Sequence, residues 1–341
     1  MENTEITQST GAKTIEVNEK KMGYYETGNT DADFTVLNIS GLGAGSGEGN
    51  LRLDYALAGE VENSKGMKNL RNDLPKGAEK IEEIVKGLKG RYHTITPQIP
   101  GFGFSEALNN PTLDNLADHL AEFAKQKGLQ KMILFGSSMG GTLAIRIAAR
   151  HPELASALAL QGVMTESDDM RKQDYIPARI LTATPIRQMI EYIPGASSVM
   201  KKILKFGTKG QPDFQLADEQ GKEQMLRDID KAEAHTYLLA LRGITKDLED
   251  EISKIDVPVV LLDGENAVVV SIDKTKRIAG RFHPEISDED PRENLRKKIA
   301  ERKVLFYKIG GVTGEHAHSV LNTFPEGMAV MINHAVNYFN A

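Results

Sequence analysis

The chain of 341 residues contains no cysteine and no tryptophan. Without cysteine there are no disulfides, no thiolate metal sites and no cysteine nucleophile. No apolar run approaches the roughly 20 residues that span a bilayer, so stable membrane insertion is not expected. The first residues, Met1-Glu-Asn-Thr-Glu, lack the basic stretch and apolar core of a secretory signal, which makes the cytoplasm the expected location. An excess of positive charge is also missing: 42 Lys and Arg stand against 48 Asp and Glu, for a net charge of −6 and a pI near 5.8. A nucleic-acid partner, which would need clustered cations facing phosphates, is therefore not expected. What remains is a globular composition, 40% hydrophobic with mean hydropathy −0.36, long enough to bury a large core.

Segments 1–12 read as a loose tail. Alternation in Thr14 to Val17 and again from Met22 to Glu26 predicts a β-hairpin, and Asp33 to Ser40 predicts a buried strand. The loop that follows, Gly41 to Gly49, has five glycines in nine residues. It lacks the lysine of a phosphate-binding loop, and Asn50 to Leu74 reads as polar and irregular, so a dinucleotide site is set aside. Helical periodicity covers Lys76 to Leu88 and Leu113 to Lys127, on either side of a strand beginning at Tyr92. A strand at Met132 to Phe135, a helix to Arg150 and a strand at Ser156 to Gly162 continue the alternation expected of a parallel sheet covered by helices. From 164 to 249 the pattern is helical only, including Ile180 to Ile193 and Glu223 to Leu241, and this stretch is expected to be a cap inserted over the core, with its apolar stripes serving mainly in packing. Asp256 to Gly264 and Val304 to Gly311 resume the sheet, and Pro325 to Phe339 closes the chain as a helix. The core is thus 13–163 together with 250–341, and the charged stretch His283 to Lys303 reads as a solvated helix.

Chemistry concentrates at Gly136-Ser-Ser-Met-Gly140, between a buried strand and an amphipathic helix. A G-x-S-x-G sequence in that context is a nucleophile elbow: the middle serine, Ser138, sits at the apex of a tight turn that only small flanking residues allow. A serine hydroxyl needs a general base, and histidine is suited by its pKa. Of eight histidines, His316 and His318 follow the last strand, and their loop opens at the sheet edge where the elbow also lies.

On these residues the chain resembles the lid-bearing serine esterases and lipases of the α/β-hydrolase fold. The elbow and its helix carry the resemblance, with Pro97-Gln-Ile-Pro-Gly-Phe-Gly-Phe-Ser105 matching a conserved turn and Ile255 to Glu265 matching the penultimate strand. The resemblance implies a mostly parallel sheet flanked by helices, with a helical lid after the sixth strand. It implies His318 as the base, seven residues before Pro325, and an oxyanion hole formed by the backbone N–H groups of Leu42 and Met139. It implies no cofactor and no metal.

Three departures stand out. Ser40 replaces the usual histidine of the oxyanion loop, Gln98 replaces an aspartate in the turn and is expected to be structural, and Ala267 occupies the position of the triad acid. A missing carboxylate lowers turnover by orders of magnitude, because the histidine tautomer is no longer fixed. Glu265, Glu166 and Asp263 are the alternatives for that role, with Glu265 taken as the acid of the triad Ser138, His318, Glu265. The expected activity is hydrolysis of a small-molecule carboxylic ester or related acyl compound through an acyl-enzyme. The alternative is a non-catalytic or weakly active binding protein that kept the fold and lost the acid.

Overall fold

The computed structural model describes residues 11–60, 78–169, 178–211, 214–215, 217, 219–244, 246–264, 270–282, 304–309 and 325–340. Eight strands form one sheet: β1 (Lys13–Val17), β2 (Lys20–Gly28), β3 (Phe34–Ile39), β4 (Tyr92–Pro97), β5 (Met132–Ser137), β6 (Ala155–Gln161), β7 (Val259–Gly264) and β8 (Val304–Ile309). Their spatial order is β1-β2-β4-β3-β5-β6-β7-β8. The predicted hairpin β1–β2 is antiparallel and β2 also joins β4 antiparallel, whereas every pairing from β4 to β8 is parallel.

The central strands are apolar on both faces because both faces are covered. Along β5, Met132 and Leu134 enter one apolar cluster while Ile133 and Phe135 enter another. Strand β7 repeats this, with Val259 and Leu261 on one side and Val260 and Leu262 on the other. The first face carries α3 (Leu113–Gln126), α4 (Met139–Arg150) and α10 (Ile272–Phe282). The second carries α1 (Leu51–Leu57), α2 (Ala78–Lys86) and α11 (Pro325–Asn340).

Over Leu51–Leu57, helix α1 corrects the reading of Asn50 to Leu74 as irregular; 61–74 lie outside the described residues. Leu53, Ala56 and Leu57 give this short segment a buried face, and its one acid there, Asp54, is itself buried. Asp54 is held by Asn38 Nδ2 at 2.6 Å and Thr96 Oγ1 at 2.5 Å, which lets the helix carry a carboxyl into the interior. The reason for setting a dinucleotide site aside therefore does not hold, since a helix does follow the glycine loop.

Between β6 and β7 the described residues form helices and no strand, as the sequence led us to expect: α5 (Thr184–Tyr192), α6 (Ala196–Lys209), α7 (Glu219–Lys231), α8 (Ala234–Gly243) and α9 (Glu249–Ile252). The single helix expected over Glu223 to Leu241 is two, because Glu233 caps α8 by accepting from the backbone N–H groups of His235 and Thr236. Its own N–H donates to the Gly101 carbonyl at 2.7 Å, fastening the break to the turn after β4. Among the described residues, no helix is long and apolar enough to cross a membrane.

Candidate active site

Ser138 lies between β5 and α4 with φ 54° and ψ −118°, a conformation that non-glycine residues rarely adopt. The turn is held on both sides: Ser138 N–H donates to the Gln161 carbonyl at 2.8 Å, and its own carbonyl accepts from Gly141 N–H at 2.9 Å. Two glycines make the turn sterically feasible. A Cβ on Gly136 would lie 2.5 Å from the Gly140 carbonyl carbon, and one on Gly140 would lie 2.8 Å from the Ser40 carbonyl oxygen, with the Ile39 carbonyl nearer still. Strand β5, helix α4 and the end of β3 therefore converge on one point, and Ser138 stands there half-buried.

The glycine-rich loop runs beside this serine. A Cβ on Gly41 would be 3.2 Å from the Ser137 carbonyl oxygen and 3.4 Å from Ser138 Cβ. Leu42 follows directly, opening a 3-10 turn over Leu42–Ala44, and Met139 opens α4 on the other side of Ser138. Sequence reasoning placed Ser138, Leu42 and Met139 in one site; in the structure Gly41, the residue before Leu42, lies against Ser138, and Met139 follows that serine. The loop thus forms a wall beside Ser138.

Two of the helices between β6 and β7 reach this loop. Helix α7 packs against the turns 42–44 and 48–50, and α8 packs against 42–44 and α3. Ser46 Oγ donates to Asp228 Oδ1, Gln224 Nε2 donates to the same oxygen at 2.9 Å, and Lys231 Nζ meets Glu48 Oε1 at 2.5 Å. Burial raises the Asp228 carboxyl to about 7, with the neighbouring Glu48 charge adding to the rise while Ser46, Gln224 and Lys231 oppose it. Sequence reasoning missed this contact, and nothing local in the sequence pairs Ser46 with a residue so far along the chain.

The turn after β4 is braced as expected for a structural Gln98. Its Oε1 accepts from Phe104 N–H at 2.6 Å and its Nε2 donates to Tyr25 Oη at 3.3 Å, with the side chain wholly buried. Ser105 Oγ donates to the Gln98 carbonyl at 2.8 Å and accepts from Gly23 N–H at 2.9 Å, closing the turn onto β2.

A family model described as alpha/beta hydrolase fold matches residues 74–186. The uncharacterized hydrolase YugF of Bacillus subtilis (strain 168) is 26% identical over 58% of this chain and 71% of its own length. The 3-oxoadipate enol-lactonase 1 of Acinetobacter baylyi is 22% identical over 55% of this chain and 66% of its own. Among solved structures, a putative lipase from Acinetobacter baumannii AYE superposes with a TM-score of 0.62 at 15% identity, covering 97% of this chain and 92% of that one. This is an α/β-hydrolase fold protein.

In this α/β-hydrolase fold protein, two of the three alternative acids are described. Asp263, the penultimate residue of β7, is buried and accepts from Thr275 Oγ1 at 2.6 Å. Burial pushes it up to about 7, against the hydrogen bonds from Thr275 and Gln161 that favour its ionised form. Gln161 also accepts from Ser137 Oγ at 2.8 Å, so the ends of β5, β6 and β7 are tied together by polar side chains just below the elbow. Glu166, after β6, is turned towards α10, where it pairs with Arg277 at 3.0 Å and Arg281 at 3.8 Å. Glu265, Ala267, His316 and His318 lie outside the described residues. Among the described residues, no group of three or more His, Asp or Glu side chains is placed to hold a metal ion.

Proposed function

We propose that the protein is a hydrolase that cleaves a carboxylic ester, or a related acyl compound, through an acyl-enzyme at Ser138. The observation that carries this reading is the backbone of Ser138: φ 54° and ψ −118° at a strand-to-helix turn, with the Gly41-Leu42 loop alongside. Strain of this kind persists where surrounding structure enforces it, and it clusters at functional sites. In the proposed reaction His318 takes the Ser138 proton as Oγ bonds to the acyl carbon, and then returns it to the departing alcohol. Water repeats the sequence and releases the acid. Developing negative charge on the carbonyl oxygen meets the N–H groups of Leu42 and Met139, which are fixed in place before the reaction begins.

Glu265 is the proposed partner of His318. The helices between β6 and β7 are read as a lid over the site, consistent with the packing of α7 and α8 on the loop that carries Leu42. Similarity to proteins named as an enol-lactonase and a putative lipase supports an ester as the bond cleaved.

A fluorophosphonate probe tests the reading. Labelling of the wild type that is lost in Ser138→Ala and in His318→Ala supports it, and p-nitrophenyl esters of increasing chain length then define the acyl preference. A wild type that takes no label overturns the proposal and leaves the non-catalytic binding protein. Loss of hydrolysis in Glu265→Gln, with Glu166→Gln and Asp263→Asn unaffected, identifies the acid.

A further inference from the structure

Seven of the ten large apolar side chains that stand exposed among the described residues fall between Ile180 and Phe206, on α5, α6, their connection and the residues just before α5. Charge is segregated in the same place. Residues 178–211 hold six Lys and Arg and a single acid, Glu191, in a chain whose net charge is −6.

Helix α6 shows how the two properties combine. Met200 and Leu204 are buried on its inner side, and Lys201 and Lys205 are drawn to Asp230 on α7, through its carbonyl at 2.7 Å and its carboxylate at 2.5 Å. The outer side presents Val199 (58% exposed), Ile203 (44%) and Phe206 (83%), spaced as one helical stripe. Lys202 and Lys209 flank that stripe and are exposed. Tyr192 and Ile193, 73% and 53% exposed, extend the apolar surface into the turn before α6.

Exposed phenylalanine and branched aliphatics on one helix face, bordered by lysines with long flexible stems, form the pattern of an interfacial surface. A second copy of the chain fits less well, because a symmetric contact through this face sets one cationic segment against another. We propose that the α6 face docks on an anionic lipid surface, with Val199, Ile203 and Phe206 entering the headgroup region and Lys202 and Lys209 meeting lipid phosphates. This surface lies outside the proposed chemistry at Ser138 and stands or falls independently of it.

Flotation of the full chain with phosphatidylcholine vesicles, with and without phosphatidylglycerol, tests the proposal, because anionic lipid supplies the negative surface potential the lysines require. Binding to the anionic vesicles is expected, weakening with salt. Lys202→Gln with Lys209→Gln is expected to lower partitioning about 30-fold, and Phe206→Asp by about tenfold or more. Both variants sit on exposed positions, and circular dichroism checks that they fold. Ser138→Ala is expected to bind vesicles like the wild type, so failure of the catalytic reading leaves this result intact. A wild type that stays unbound on anionic vesicles, or binds neutral and anionic vesicles alike, overturns the proposal. So does a wild-type dimer that Phe206→Asp splits, which assigns the face to self-association.

Discussion

The hydroxyl of Ser46, in the glycine-rich loop, donates a hydrogen bond to the buried carboxyl of Asp228 on α7, joining the helices between β6 and β7 to the loop beside Ser138. Asp228 titrates at about 7 in the folded protein because of its burial, and the groups facing it are Ser46, Gln224, Glu48 and Lys231. Below about pH 4 the carboxyl is protonated in both folded and unfolded chains. As the pH rises the unfolded chain ionises first, so the folded state binds more protons and loses roughly 1.4 kcal/mol of stability per unit until about pH 7. Asp228→Asn removes this dependence. Its stability relative to wild type, from urea unfolding, is expected to rise by about 1 to 3 kcal/mol between pH 5 and pH 8. An unchanged difference between the two pH values contradicts the buried, protonated carboxyl.

Close backbone approach at the elbow gives a second expectation. A methyl group on Gly140 would overlap the Ile39 and Ser40 carbonyls, whereas one on Gly43 meets nothing within 4 Å. Backbone cannot yield as a flexible side chain does, so Gly140→Ala is expected to destabilise the protein by about 3 kcal/mol or more. Gly43→Ala is expected to change stability by less than about 0.5 kcal/mol. Thermal unfolding of the pair separates the steric effect from any general intolerance of substitution in the two loops.

The brace at Gln98 gives a third. Replacing it with alanine strands the Phe104 N–H and leaves a void between Gly23 and Gly103, both of which lie against its side chain. Gln98→Ala is expected to cost about 2 to 4 kcal/mol, the sum of a lost buried hydrogen bond and a cavity. Chemical denaturation measures it, and a change within about 0.5 kcal/mol of zero contradicts the brace.

These residues also show what could be read from sequence. The elbow was legible because its signal is local: an apolar strand, two glycines around a serine and a helical stripe lie within twenty residues. Strands with apolar residues at successive positions were legible as interior for the same reason. Helix α1 was not, because Asp54 is polar in sequence and becomes interior only through Asn38 on β3 and Thr96 on β4, partners that the fold supplies. The break before α8 was missed because glutamate is an ordinary helix residue, and Glu233 becomes a cap only where the Gly101 carbonyl fixes its backbone. The exposed stripe on α6 was hidden likewise. Apolar residues at helical spacing look the same in sequence whether they face a core or, like Phe206, stand in solvent.

The strain at Ser138 sets stability against the proposed activity. A serine at φ 54° and ψ −118° is held away from its preferred basins by the hydrogen bonds to Gln161 and from Gly141. Such a backbone costs of the order of 1 to 3 kcal/mol for a residue with a Cβ. Glycine adopts it freely, but its unfolded chain has about 0.5 to 1 kcal/mol more conformational entropy to lose. Ser138→Gly is therefore expected to stabilise the protein by about 1 kcal/mol while abolishing fluorophosphonate labelling. Ser138→Ala, which keeps the Cβ, is expected to lose the label without that gain. Thermal unfolding of the two variants side by side makes the comparison, and a glycine variant less stable than the alanine variant contradicts backbone strain at Ser138.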